Sequence, residues 1–64
     1  MTKKQIFEYL DGFTFVNEAE VEMAVADLFM EKFGAEPCYE DLVQYAIIAD
    51  EYMNKRGLLA LFNQ

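Results

Sequence analysis

Apolar and polar residues alternate with helical spacing along most of the chain, and isolated glycines divide this pattern into segments. The first segment begins at Thr2, which has the spacing of a capping box with Gln5. It ends before Gly12, because glycine readily takes the left-handed conformation that closes many helices. The pattern therefore predicts a short first helix over residues 3–11.

Residues 13–16 form a β-prone stretch between the first and second segments. The stretch is too short for a sheet, and the sequence offers no second strand to pair with it. We expect an extended connector whose two phenylalanines fill the core. Val16 is also placed to form a hydrophobic staple with Val21 of the following helix.

The second segment has clear start and stop signals. Asn17 is a good N-cap, and the glutamates that follow it favour the dipole of a helix. Gly34 follows Phe33 and is expected to end the helix in the left-handed conformation. The sequence therefore predicts a long second helix that ends at Phe33.

A third helix is predicted to begin around Pro37, since proline fits the first turn of a helix. Cys38 is expected to act as a weak cap. The helix is expected to run to Arg56, where two cations are well placed for the helix dipole. Gly57 then stops or bends the chain, and the apolar residues 58–62 are expected to form a helical turn packed back on the bundle.

These segments predict an all-α fold, a small three-helix bundle with a short C-terminal helical turn. Residues 1–64 are expected to form a single domain, because no linker, repeat or low-complexity tract interrupts them. A chain of this size buries only about 60% of the surface that its unfolded form exposes. Since 55% of its residues are hydrophobic, we expect some apolar surface to face a second chain.

The second helix carries two apolar stripes rather than one. With successive residues about 100° apart, its apolar side chains gather on two opposite sides. An ordinary surface helix has a single stripe, so two stripes indicate two packing partners. Either the third helix covers one stripe and the first helix, together with the 13–16 connector, covers the other, or one stripe meets a second copy of the chain or a target protein. The first stripe comprises Ala19, Met23, Ala26, Met30 and Phe33, and the second comprises Val21, Ala24, Val25 and Leu28. A ridge of three acids separates them: Glu20, Asp27 and Glu31.

The third helix has one conventional apolar stripe and a small apolar patch beside it. Val43 and Ile47 lie off the stripe, one turn apart, next to Glu40 and Glu51. Paired apolar residues bordered by acids are typical of an interface, and the alternative is cover by the first helix or the C-terminal turn. The stripe itself comprises Leu42, Tyr45, Ala46, Ala49 and Met53.

The charge of the chain limits its partners. The net charge is −7, and Lys32 is the only cation between Gln5 and Asn54. Such a chain repels nucleic acid and anionic membranes and attracts basic surfaces. No apolar run approaches the roughly 20 residues that a membrane span needs. A free thiol at Cys38 and no signal peptide predict a cytoplasmic location.

The residue types argue against most catalytic chemistry. The chain has no histidine, and Cys38 has no obvious activating partner in the sequence. Zinc sites need several Cys or His ligands, the EF-hand pattern is absent, and the glycines form no phosphate-binding motif. We therefore expect no enzymatic activity, no metal and no cofactor.

The sequence predicts a protein-binding module, a regulator or inhibitor that docks on a basic surface of a target protein. In size and charge the chain is similar to the small acidic proteins that bacteriophages make to disable host or defence enzymes; this likeness is one of composition. Two alternatives are a DNA mimic that inhibits a nucleic-acid-binding protein and a self-assembling structural homo-oligomer. A homodimer is compatible with target binding, and we expect one. The predicted partner-binding residues are Glu20, Met23, Asp27, Met30, Glu31, Glu40, Val43, Ile47 and Glu51.

Overall fold

The computed structural model describes residues 2–34 and 38–63, and within them the secondary structure is entirely helical. The helices are α1 (Lys3–Asp11), α2 (Glu18–Phe33), α3 (Tyr39–Arg56) and α4 (Leu58–Phe62). The prediction of an all-α bundle with a short C-terminal helix is confirmed. The predicted restart at Pro37 lies outside the described residues.

Local hydrogen bonds explain where α1 and α2 begin. Thr2 Oγ1 accepts from the backbone N–H of Gln5 at 3.2 Å, and Gln5 Oε1 accepts from the backbone N–H of Thr2 at 2.9 Å. Asn17 Oδ1 accepts from the backbone N–H of Glu20 at 2.9 Å. Each side chain satisfies a backbone donor that the first turn of a helix leaves without a partner. Both predicted N-caps are confirmed.

The C-terminal ends of the helices differ from the prediction at one glycine. Gly34 and Gly57 have φ values of 68° and 70°, which is the left-handed conformation expected of them. Gly12 instead has φ −76°, so the predicted left-handed stop is wrong there. Backbone hydrogen bonds from Gly12 and Phe13 to the last turn of α1 close the helix without it.

The connector after α1 contributes fewer buried side chains to the core than the sequence predicted. Phe13 is 48% exposed, and only Phe15 is half-buried, with its ring 6.4 Å from that of Tyr52. Val16 is 70% exposed, so it is not a hydrophobic staple. The entry to α2 is fixed by polar contact instead, because the backbone N–H of Val16 donates to Glu20 Oε1 at 2.8 Å.

The core forms where α1, α2 and the C-terminal half of α3 meet. Phe29, near the end of α2, stacks on Tyr45, near the start of α3, with ring centroids 4.4 Å apart. This pairing makes α2 and α3 antiparallel neighbours. The buried side chains are those of Ile6, Phe7, Leu10, Val21, Val25, Leu28, Ala49, Tyr52 and Met53.

A polar and aromatic network ties the C-terminal end of α1 to that of α3. Asp11 accepts two hydrogen bonds from the Arg56 guanidinium, at 2.8 and 2.9 Å, and a third from the Tyr52 hydroxyl at 2.8 Å. These bonds, that of Arg56 most of all, favour the charged carboxylate and lower the pKa of Asp11 to about 2. Burial, and then the bond to Asp11, raise the pKa of Tyr52.

The molecule is thin in one direction. Its Cα atoms extend over 35 × 22 × 15 Å. Two helices packed about 8–10 Å apart, with Cα radii of about 2.3 Å, fill roughly 15 Å. The shortest dimension therefore holds two layers of helices. The α2–α3 pair forms one layer, and α1 lies on one side of that pair.

Candidate functional site

The two apolar edges of α2 have opposite environments. Val21 and Val25 are completely buried, and Leu28 is nearly so. On the other edge, Met23 is 64% exposed and Met30 is 40% exposed. The alternative in which α3 covers one stripe, and α1 with the connector covers the other, is therefore wrong, although the connector lies beside Met23. One edge of α2 is buried by both neighbours, and most of the other remains in solvent.

The neighbours of α2 approach on either side of its buried edge. Gln5 and Tyr9 of α1 lie across a cleft from Leu28. Phe29, the next residue along α2, stacks on Tyr45 of α3. Since successive helical residues point about 100° apart, α1 and α3 flank the same edge of α2.

The side of α2 opposite its buried edge carries the exposed methionines. On a helical wheel, rotation from Leu28 past Phe29 reaches Ala26 and then Met30 and Met23. Ala26 is half-buried, while both methionines are exposed. Met23 lines a shallow depression with Asp27 and with Phe13, Thr14 and Phe15 of the connector, so it lies beside the connector on the side of α2 opposite the buried edge.

Two exposed apolar residues of α3 also point away from the core. Tyr52 faces α1, where its ring meets that of Phe7 edge-on with centroids 5.3 Å apart. Rotation away from Tyr52 passes the half-buried Ala46 and reaches Val43 and Ile47. These two are 41% and 48% exposed, so the predicted alternative of cover by α1 or α4 is wrong.

We name the exposed apolar side chains that point outward from α2 and α3 the open face, and define it by Met23, Met30, Val43 and Ile47. Phe33, also on the first predicted stripe, is 68% exposed but stacks on Phe29 and lines the cleft beside α1. Leu42, predicted to be in the core stripe of α3, is 47% exposed because it lies in the first turn of α3, away from the core.

Acids border the open face, but the predicted set divides by what each carboxylate already contacts. Glu20 is held by the backbone N–H of Val16, and Glu51 pairs with Lys3 at 2.7 Å. The remaining three acids are exposed and form no ion pair with another described residue: Asp27, Glu31 and Glu40. These three are the carboxylates most available to a partner.

The cations of the chain lie away from the open face. Residues one turn from Met23, Met30, Val43 or Ile47 include no lysine or arginine. Lys32 lines the cleft between α1 and α2. The other four cations line a depression of about 340 Å³ between α1 and the end of α3, together with Phe7 and Glu8: Lys3, Lys4, Lys55 and Arg56. Lys3 reaches Glu51, the acid one turn from Ile47, at 2.7 Å, whereas no cation lies one turn from either methionine along α2.

Sequence reasoning missed the tie between α1 and α3 and the gathering of cations at one end. Asp11 and Arg56 are 45 positions apart, and Tyr52 was not placed in the core. The lysine pairs near the two ends of the chain were visible as local charge patterns. Nothing local in the sequence shows that these pairs meet in space.

Other features of the surface offer little chemistry. The cleft between α1 and the end of α2 has a volume of about 520 Å³ but is widely open to solvent. Cys38 is exposed, and its backbone N–H donates to Asp41 Oδ2 at 3.3 Å, so the capping contact at the start of α3 comes from the Asp41 side chain. Within residues 2–34 and 38–63, no group of three or more Cys, Asp or Glu side chains is placed to hold a metal ion. Among the described helices, none combines the length and apolar character needed to cross a membrane.

Comparison with known proteins identifies no relative. The chain matches no protein-family model, and neither a curated protein nor a solved structure shows significant similarity to it. The indications of function therefore come from its own surface.

Proposed function

We propose that this protein binds a target protein through the open face and acts as a regulator or inhibitor that docks on a basic surface. The observation that supports this most directly is the exposure of the methionine edge of α2. Met23 and Met30 lie on the side of the helix opposite Val25, which is completely buried. A 64-residue domain has little stability to spare, so leaving such apolar surface in water suggests a use for it.

The composition of the open face suits a binding interface. Methionine is flexible and polarizable, so it adapts to irregular partner surfaces. Val43 and Ile47 add rigid apolar area one turn apart on the neighbouring helix. Asp27 at the edge then supplies the polar, charged rim that surrounds the apolar centre of many interfaces. Burial of these side chains provides affinity, and the rim provides orientation and faster encounter.

Charge favours a basic target over a second copy of this chain. Two copies that met through the open face would bring the same carboxylates together, since Asp27, Glu31 and Glu40 border it in each copy. A target with Lys and Arg around an apolar centre would instead pair with these acids. Self-association stays a prediction; by this reasoning it would strengthen as salt screens the repulsion.

A basic surface on a target is often its nucleic-acid site, and for this reason we propose inhibition as the outcome of docking. The DNA-mimic hypothesis is a special form of the same proposal. It requires carboxylates spaced like phosphates to replace DNA, whereas the open face places apolar side chains between its acids. Competition between DNA and this protein for a target would test that form.

The test is differential capture on immobilised wild-type protein and two variants. Met30→Asp places a charge on the open face, and Val16→Asp places the same charge on a more exposed position in the connector. A target should be retained by the wild type and by Val16→Asp and lost with Met30→Asp. Its affinity, measured with purified protein, should fall as salt rises. Retention that is unaffected by Met30→Asp would contradict the proposal.

A further inference from the structure

We propose that the shallow depression between the connector and α2 receives an arginine side chain of the target protein. This inference rests on the proposed function and names the residue of the basic surface that is recognised beside Met23. It follows from the size of the depression, from its aromatic and acidic lining, and from the positions of the chain's own cations.

The depression has room for one side chain. Its volume is about 240 Å³, whereas pockets for drug-sized ligands hold roughly 300–1,000 Å³. Ala24 and Phe15 are half-buried and lie deepest in it. Phe13 and Met23 are 48% and 64% exposed and form its edges. A single side chain that projects from a partner can therefore enter it. The described residues that line it are Phe13, Thr14, Phe15, Glu20, Met23, Ala24 and Asp27.

Two carboxylates line the α2 side of the depression, one in the turn before Ala24 and one in the turn after it. Glu20 and Asp27 are seven residues apart, which places their Cα atoms about 10 Å apart along the helix. Glu20 is held in place, because its Oε1 accepts from the backbone N–H of Val16 at 2.8 Å. Asp27 is exposed and has no ion pair with another described residue. The depression therefore offers one oriented carboxylate and one that can turn toward a cation.

The aromatic rings of the connector favour arginine over lysine as that cation. The rings of Phe13 and Phe15 have centroids 5.8 Å apart, with their planes inclined at 34°. A guanidinium is planar and weakly hydrated, so it can stack on an aromatic ring while it donates to carboxylates. A lysine ammonium is compact and strongly hydrated, so it gains less from the rings. The methylene groups of arginine also suit the apolar surface of Met23 and Ala24.

The cations of the chain itself lie elsewhere. None of the described residues that line the depression is a lysine or an arginine. A second copy could supply an arginine only from Arg56, and that side chain already donates two hydrogen bonds to Asp11. The arginine is therefore expected from a different protein. Lys32 lines the cleft beside α1, and the remaining cations line the depression between α1 and the end of α3: Lys3, Lys4, Lys55 and Arg56.

The probe is N-acetyl-arginine amide, titrated at low salt into the isotope-labelled full chain and followed by two-dimensional NMR. The citrulline analogue keeps the shape of arginine without its charge, and the lysine analogue keeps the charge without the planar group. The arginine probe should shift the backbone signals of Thr14, Glu20 and Asp27 in a saturable way. It should bind at least about fivefold more tightly than the citrulline analogue and about twofold more tightly than the lysine analogue.

Matched variants locate the probe. Asp27→Asn removes a carboxylate from the depression, and Glu31→Gln removes one from the next turn of α2, outside it. Asp27→Asn should weaken the arginine probe about threefold, while Glu31→Gln should change its affinity much less. Phe13→Leu keeps an apolar side chain but removes the aromatic ring, and should weaken the probe about two- to fivefold. Circular dichroism checks that each variant stays folded.

The outcomes separate this inference from the proposed function. Equal binding of the three probes, equal effects of Asp27→Asn and Glu31→Gln, or no shift of the signals around the depression would each reject the arginine site. The proposed function would not fall with it, because the capture experiment depends on Met30, which lies outside the depression. Probe binding as expected, with capture unaffected by Met30→Asp, would keep the arginine site and reject the wider open face.

Discussion

The two edges of α2 are equally apolar in sequence and opposite in environment. Val21 and Val25 have no exposed surface, whereas Met23, between them in sequence, is 64% exposed. The difference arises because α1 and α3 approach the helix from either side of one edge. An apolar stripe in the sequence therefore indicates a surface that can be buried. Whether the chain buries that surface with its own residues depends on where the neighbouring helices lie.

The largest expected effect comes from placing the same charge on each edge in turn. Val25→Asp would bury a carboxylate among apolar side chains, which costs several kcal/mol or more. A domain of this size has a stability of only about 3–10 kcal/mol, so we expect this variant to unfold at room temperature. Met23→Asp, two positions away, should keep the helical circular dichroism spectrum of the wild type. Equal loss of structure in both variants would show that the second edge is also covered.

A smaller effect should follow from shortening a buried side chain on the helix that covers the buried edge. Leu10 of α1 is completely buried, and Leu10→Ala should lower the free energy of unfolding by about 2–5 kcal/mol. Leu61 of α4 is 59% exposed, so Leu61→Ala should change it by no more than about 0.5 kcal/mol. Urea unfolding measures both. A cost at Leu10 as small as that at Leu61 would mean that α1 does not pack as described.

The hydrogen bonds from Arg56 and Tyr52 of α3 to Asp11 of α1 should make the stability of the fold depend on pH. The pKa of Asp11 falls from its ordinary 3.8 to about 2, so its carboxylate binds fewer protons when folded than when unfolded. Its contribution is therefore fully present above about pH 4 and is lost as the pH falls towards 2. The urea midpoint of the wild type should exceed that of Asp11→Asn above this window, and the gap should close within it. A gap that persists at pH 2 would contradict the assigned role.

The smallest predicted effects compare polar and apolar contacts at the entry to α2. Asn17→Ala removes the hydrogen bond to the backbone N–H of Glu20 and should cost about 1 kcal/mol. Val16→Ala, at a residue that is 70% exposed, should cost much less, because no staple is formed there. Thermal unfolding of the two variants measures the order. The reverse order would restore the hydrophobic staple that the sequence suggested.

The helices were predictable because their ends depend on local chemistry. Thr2 and Asn17 cap the first turns that follow them, and Gly34 and Gly57 end α2 and α3 with residues at positive φ. These interactions span only a few residues, so spacing in the sequence reveals them. The exposed patch at Val43 was likewise visible as an apolar position bordered by acids.

The remaining features depend on contacts between distant parts of the chain. Helical periodicity separated the two edges of α2, but it could not tell which of them α1 would cover. The bond between Asp11 and Arg56 joins residues 45 positions apart, and no local pattern marks it. Phe13 was expected in the core because it is large and apolar, yet the path of the connector leaves it 48% exposed.

Methionine oxidation tests the open face most directly, because the chain carries internal controls. Met23 and Met30 lie on the open face, whereas Met53 is 2% exposed in the core. With dilute hydrogen peroxide and peptide mapping, Met23 and Met30 should convert to the sulfoxide much faster than Met53. Rates for Met23 and Met30 as slow as that of Met53, in dilute and folded protein, would show that the face is covered and would contradict this account.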